Sequence, residues 1–318
     1  MSLKIIGTGS ALPEKQVSNE ELSALLDTSD QWITEKTGIK NRFICTEESL
    51  TDLAETAGRA ALEKAGLKPS DIDLILCSTI SGDYTTPSLA CCVSQRLSAT
   101  CPALDLNAAC SGFIYALDAA AAYLNSEKAK NILIISAEMM SKHIDWNDRA
   151  TCVLFGDGAG ACVVTKGTAL RYINLTADGE IRPLHLKTGT GNNPFRKINE
   201  AQEPFVMEGQ EVFKFAVQSI EKEVARALDT LALTAKDIDY FLIHQANQRI
   251  LDSARIRMKQ PDNKFPANIH QTGNISSASI PILLDEMLSE GKIKTGDTLL
   301  LTAFGAGLTT GTCVMIWE

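Results

Sequence analysis

"LEKAGLKPSDIDLILCST", residues 62–79, and "LDTLALTAKDIDYFLIHQ", residues 228–245, carry the same pattern. Each has a helix end, a turn built on Asp-Ile-Asp and an apolar run with the make-up of a buried strand. A second pair follows in the same order, "FGDGAGACVV" from Phe155 and "FGAGLTTGTCVMIW" from Phe304, each a glycine turn leading into an apolar strand. Between them, amphipathic runs such as "LTDLAETAGRAALEKAGL" alternate with strand-like runs such as "KNILIISAE". The chain therefore reads as α/β, two copies of one unit over residues 1–168 and 169–318, packed together so that a site at their interface draws on both.

The 318 residues carry a net charge of −9, with 45% hydrophobic and 22% charged residues, which suits a globular protein and disfavours a nucleic-acid partner. Apolar runs such as "NILIIS" are too short to span a bilayer, and no amino-terminal segment has the build of a secretion signal, so a cytoplasmic protein without a membrane partner is expected. The nine cysteines include no C-x-x-C pair, which argues against a zinc site and a disulfide framework and for reduced, mostly buried thiols.

Cys110 stands apart. "CPALDLNAAC" reads as a strand and "SGFIYALDAAAAYLNSE" as a helix, placing this thiol on the turn between them. Small neighbours permit a tight elbow, and the helix start is expected to lower the thiol's pKa. A small residue packed at a strand end is the alternative reading. At the matching place in the second half, "DYFLI" ends in "HQAN", putting His244 at the carboxyl end of a buried strand, either as a site residue or as a structural histidine. His143, His185 and His270 lie in loop-like surroundings. "TGNISSASIP" places Asn274 at a helix start, where an asparagine also serves simply as a cap. Neither "IIGTGSALP" nor "FGDGAG" fits a nucleotide-binding spacing; their glycines read as crowding around a site, with the Ala306 amide in "FGAG" a candidate oxyanion donor.

Together "AACSGF", "HQAN" and "GNISSASIP" resemble the β-ketoacyl-[acyl-carrier-protein] synthase III family of the thiolase superfamily. The resemblance extends to "KIIGTGSALPE", "TSDQWITEKTGI", "DWNDRATCVLFGDGAGA", "GQEVFKFAV" and "AFGAGLTTG". It implies a thiolase-like fold in which two duplicated α/β halves form a five-layered αβαβα arrangement.

The resemblance further implies that Cys110 takes an acyl group from an acyl-coenzyme A, and that His244 and Asn274 hold the malonyl thioester oxygen while carbon dioxide leaves malonyl-acyl carrier protein. On the same basis the amides of Cys110 and Ala306 form an oxyanion hole, and Trp32, Lys36 and Arg149 bind coenzyme A. Thr86, Met140, Phe155 and Phe205 line the primer pocket, Thr86 reaching across a homodimer interface. Arg249, Arg255, Arg257 and Lys259 receive acyl carrier protein. No metal or cofactor is implied. Lys36 replaces a common arginine and Ala306 a common glycine. Two alternatives remain: a secondary-metabolic relative with another acyl donor or acceptor, and a non-catalytic partner of carrier protein.

Overall fold

The computed structural model describes residues 3–189, 191, 194–197 and 200–318. The first sheet contains β1 (Lys4–Ala11), β2 (Leu74–Ser78), β3 (Ala103–Leu106), β4 (Asn131–Met139) and β5 (Asp157–Thr165), in the order β1-β5-β4-β2-β3. The second contains β6 (Leu170–Glu180), β7 (Tyr240–Ile243), β8 (Thr298–Gly305) and β9 (Gly307–Ile316), in the order β7-β8-β9-β6. In the first sheet β2 runs parallel to β3 and β4, and β5 antiparallel to β4 and β1. The second repeats this, with β7 parallel to β8 and β9 antiparallel to β8 and β6. The sheets part between Thr165 and Leu170, either side of the expected boundary at 168/169.

Seven helices position the site: α1 (Asp30–Thr37), α2 (Leu50–Ala65), α3 (Leu89–Leu97), α4 (Gly112–Asn125), α5 (Gly209–Leu231), α6 (Gln248–Met258) and α7 (Ser279–Ser289). Strand alternation assigns them to layers. On β4, Ile132 and Ile134 face a core shared with α4, α7 and the second sheet, whereas Leu133 and Ile135 face α2 and α3. On the far side, α5 and α6 pack on Phe241, Ile243, Leu300 and Val314. The layers are helix, sheet, helix, sheet, helix. The central position of α4 explains its sequence: "GFIYALDAAAAYLN" is apolar on nearly every face because a sheet lies on each side.

The glycines of "IIGTGSALP" serve this packing rather than a site. A Cβ at Gly7 or Gly9 would stand 2.3 Å from the Ala61 or Ala57 carbonyl oxygen, so α2 lies on β1 only because both are bare. Gly160 likewise admits α7, its Cβ position being 2.7 Å from the Ile282 nitrogen. No described helix is long and apolar enough to cross a membrane.

Candidate active site

Cys110 lies on a single 3-10 turn, Ala109–Ser111, between β3 and α4. Ala109 enters it at φ +47°, and the second half repeats the turn at Ser276–Ala278 before α7, with Ser276 at φ +46°. By this register Ser277 is the counterpart of Cys110. His244 instead follows β7, the counterpart of β2, so it matches Ser78 and not the thiol. Sequence periodicity misplaced the second elbow because both positions follow a strand; only the shared left-handed backbone tells them apart.

The elbow is held by groups from the other half. Thr309 Oγ1 on β9 donates within reach of the Ala108 carbonyl (3.2 Å), the Ser111 hydroxyl (3.1 Å) and the Ala306 carbonyl (3.1 Å). A Cβ at Gly305 would sit 2.8 Å from the Cys110 nitrogen, which fixes how closely the "FGAG" turn approaches the thiol. Gly112 is equally constrained: a methyl there would lie 1.8 Å from Ser78 Oγ.

Two cavities meet at Cys110. The larger, about 740 Å³, is lined by Trp32, Lys36, Phe155, Phe213, His244, Arg249, Asn274 and Phe304 among others. The smaller, about 490 Å³, has Ile80, Met140, Ile181, Leu184, Leu186 and Phe205 along its wall. Leu184 and Phe205 border both, and Phe205 stands edge-on to Phe155 with ring centroids 5.3 Å apart.

His244 is buried, its amide bonded to the Thr302 carbonyl at 2.9 Å and its ring edge-on to Phe304 at 5.2 Å. Its Nδ1 is buried without a hydrogen-bond partner among the described residues, and burial pushes the imidazole down to about 3. The ring is therefore neutral at physiological pH. Asn274 is fixed by backbone pairing with Leu154 and Gly156, and its Oδ1 accepts the Ser276 amide at 2.9 Å. It thus does serve as a turn cap, and that bond leaves its Nδ2 group for the cavity.

The expectation of a lowered thiol pKa is overturned. Burial pushes Cys110 up to about 12; the neighbouring Ser276 hydroxyl opposes this and the charge of Glu138 adds to it. Loss of water outweighs the helix start here, so the resting sulfur keeps its proton.

The remaining candidates scatter more. Arg149 lies 5.2 Å from the centre of the Trp32 ring, with Lys36 on the cavity wall nearby. Arg249 is exposed at the larger cavity and rests 5.8 Å from the Phe213 ring centre. Along the same helix, Arg255 pairs with Asp262 at 3.3 Å and Arg257 with Glu221 at 2.7 Å, while exposed Lys259 forms the carboxyl-terminal cap at φ +53°. Thr86 is exposed and borders neither cavity within the chain. Among the other histidines, His185 borders the smaller cavity.

Sequence reading missed two residues. Ser276 Oγ lies 3.4 Å from Cys110 Sγ, and Glu138, wholly buried at the end of β4, accepts from Ser276. The one visible signal was a carboxylate inside the apolar run "ILIISAEMM".

Residues 104–179 match the family model described as 3-oxoacyl-[acyl-carrier-protein (ACP)] synthase III, and residues 228–317 match its C-terminal companion. The β-ketoacyl-[acyl-carrier-protein] synthase III of Clostridium acetobutylicum is 43% identical over 321 residues, 99% of each chain. The crystal structure of the synthase III of Aquifex aeolicus superposes with a TM-score of 0.92 at 42% identity, over 99% of this chain and 100% of that one. The priming β-ketosynthase of the R1128 polyketide pathway superposes at 0.93 with 33% identity, over 100% of this chain and 96% of that one. With its duplicated five-layered fold and its thiol elbow, this chain belongs to the 3-oxoacyl-[acyl-carrier-protein] synthase III family.

Proposed function

We propose that the protein condenses an acyl-coenzyme A with malonyl-acyl carrier protein, giving 3-oxoacyl-acyl carrier protein, coenzyme A and carbon dioxide, and so initiates fatty-acid synthesis. The observation that carries this reading is the meeting of two cavities at one cysteine, with a neutral imidazole and a carboxamide N–H group on the wall of the larger. Cys110 attacks the primer thioester and holds the acyl group in the smaller cavity, against Ile80, Met140, Leu184 and Phe205. His244 and Asn274 then donate to the malonyl thioester oxygen. Negative charge gathers on that oxygen only as the carboxylate departs, so neutral donors stabilise the enolate more than the ground state. The amides of Cys110 and Ala306 serve the second oxyanion, on the acyl-cysteine.

Trp32 and Arg149, in contact at 5.2 Å, part to take the adenine of coenzyme A between them, with Lys36 toward its phosphates. For the carrier protein, the pairing of Arg255 and Arg257 with acids leaves Arg249, beside the cavity, as the principal contact, and Lys259 as a weaker one. The sheet edge formed by β3, with Leu104 exposed, supports a homodimer in which Thr86 reaches the partner's primer pocket. Nine free thiols, one of them the nucleophile, agree with a reducing cytoplasm.

Intact-mass measurement after exposure to acetyl-, butyryl- and octanoyl-coenzyme A, followed by malonyl-acyl carrier protein, tests the reading. Cys110 should gain the acyl mass and lose it as a 3-oxoacyl product, and Cys110→Ala should gain none. A parent enzyme that never acylates overturns it. A second reading, priming of polyketide synthesis, is favoured by the likeness to the R1128 enzyme. A primer and carrier protein accepted only from such a pathway would select it.

A further inference from the structure

Glu138 is a buried carboxylate for which the condensing chemistry gives no role. It is the penultimate residue of β4, at the contact between the two halves and fully out of solvent. Its Oε2 accepts from the Ser81 hydroxyl (2.7 Å) and the Ile80 amide (3.0 Å), with Thr79 Oγ1 at 3.4 Å. Its Oε1 accepts from Ser277 (2.8 Å) and Ser276 (3.1 Å). Those two hydroxyls come from the second elbow and the thiol from the first, so Ser276 stands between the carboxylate and the thiol.

The direction of these bonds is informative. Ser276 spends its only hydroxyl proton on Glu138, so across the 3.4 Å contact with Cys110 it is the acceptor and the thiol the donor. The result is a directed chain from Cys110 S–H through Ser276 O–H to the Glu138 carboxylate. His244 Nδ1, by contrast, is sealed off without a partner, and no hydrogen bond joins His244 to the thiol among the described residues. Lys142, the cation that interacts with Glu138, does so through charge alone, its ammonium being bound to the Ser81 and Gly82 carbonyls.

We propose that Ser276 is a further catalytic residue that relays the Cys110 proton to Glu138, where it is held for the lifetime of the acyl-enzyme. The inference rests on the condensing function proposed above. As sulfur attacks the primer carbonyl, its proton passes to Ser276 Oγ while the serine's own proton passes to Glu138 Oε1. The bond to coenzyme A breaks, and the coenzyme A thiolate leaves with the electron pair and takes a proton from water. In the second half-reaction the enolate carbon attacks the acyl carbon and the Cys110 sulfur leaves with its bonding pair. It recovers its proton from Ser276, and Glu138 returns the one it held. One solvent proton is consumed per turnover, on coenzyme A. That balances the conversion of the malonyl carboxylate to neutral carbon dioxide.

Glu138 touches no substrate and acts through Ser276, as a positioning residue. Burial raises its pKa, which makes it a better proton store than an exposed carboxylate.

The test is infrared difference spectroscopy of the whole enzyme before and after acylation by acetyl-coenzyme A, with acylation of Cys110 read in parallel by intact mass. A protonated-carboxyl band should appear on acylation, and it should be missing in Glu138→Gln. Ser276→Ala should acylate about 100-fold more slowly. Alanine fits the backbone at this position, since Ala109 has the same conformation in the other elbow. Fully acylated parent enzyme without the band overturns the proposal, as does Ser276→Ala acylating at the parent rate. Failure of the parent to acylate overturns the condensing function and the relay with it.

Discussion

The side-chain oxygen of Asn274 is committed to the amide of Ser276 at 2.9 Å, which leaves the Asn274 N–H group for the larger cavity that this residue lines. Asn274→Asp keeps the acceptor for Ser276 and removes the donor. The variant should still acylate at Cys110, while condensation with malonyl-acyl carrier protein falls by about 100-fold or more. Intact mass reads the first step and product formation the second. Equal loss in both would assign Asn274 to the fold instead.

His244 is held neutral by burial, with its pKa pushed down to about 3. The condensation half-reaction should therefore show no break near pH 6.5 when measured from preformed acyl-enzyme. Stability should respond in a definite sense. Between pH 6.5 and about 3 the unfolded chain binds a proton at this position that the folded chain refuses, so stability is full above 6.5 and falls as the pH drops. His143, lowered to about 4 by burial and by Lys142, adds in the same direction. Urea unfolding of the parent and His244→Gln at several pH values should show the variant losing close to one proton of this dependence.

A thiol pushed up to about 12 alkylates slowly. In the free enzyme, iodoacetamide should modify exposed Cys91 before Cys110 at pH 7.5, as read by peptide mass. The Cys110 rate should keep climbing through pH 9. A plateau near pH 7 would mean a thiolate at rest and contradict the burial argument.

Much of this was readable in advance. The Asp-Ile-Asp repeat disclosed the duplication, because a turn and a buried strand are local features. The thiol relay was not readable, since Glu138 and Ser276 are 138 residues apart and meet only when the halves pack. Nor was the thiol's state, which depends on how much protein encloses it rather than on its neighbours in sequence.

Met140, fully buried, borders the smaller cavity. Met140→Ala should favour longer primers, each further buried CH₂ contributing up to about 0.8 kcal/mol. Thr86→Phe should do the reverse if Thr86 enters the partner's pocket. Acylation rates for acetyl-, butyryl- and octanoyl-coenzyme A decide both. An unchanged preference in Thr86→Phe removes that residue from the pocket floor.

Gly305 backs directly onto Cys110, and a methyl there would press on the Cys110 nitrogen at 2.8 Å. Gly305→Ala should reduce acylation more than 10-fold while lowering stability by about 1–3 kcal/mol. Measured acylation equal to the parent would show that the elbow can shift without loss.

The fastening of the first elbow by Thr309, and of its sulfur by Ser276, has a practical meaning for any attempt to divide the molecule. Cut between Thr165 and Leu170, the chain yields one fragment with a Cys110 thiol lacking its clamp and its hydroxyl neighbour. The other fragment keeps the imidazole and carboxamide with no thioester to serve. Each also exposes the inner face of a sheet that the paired helices α4 and α7 now cover. Reassembly of the two polypeptides, not the folding of either, is then the event that switches on acyl transfer, which makes the split enzyme a reporter of its own association.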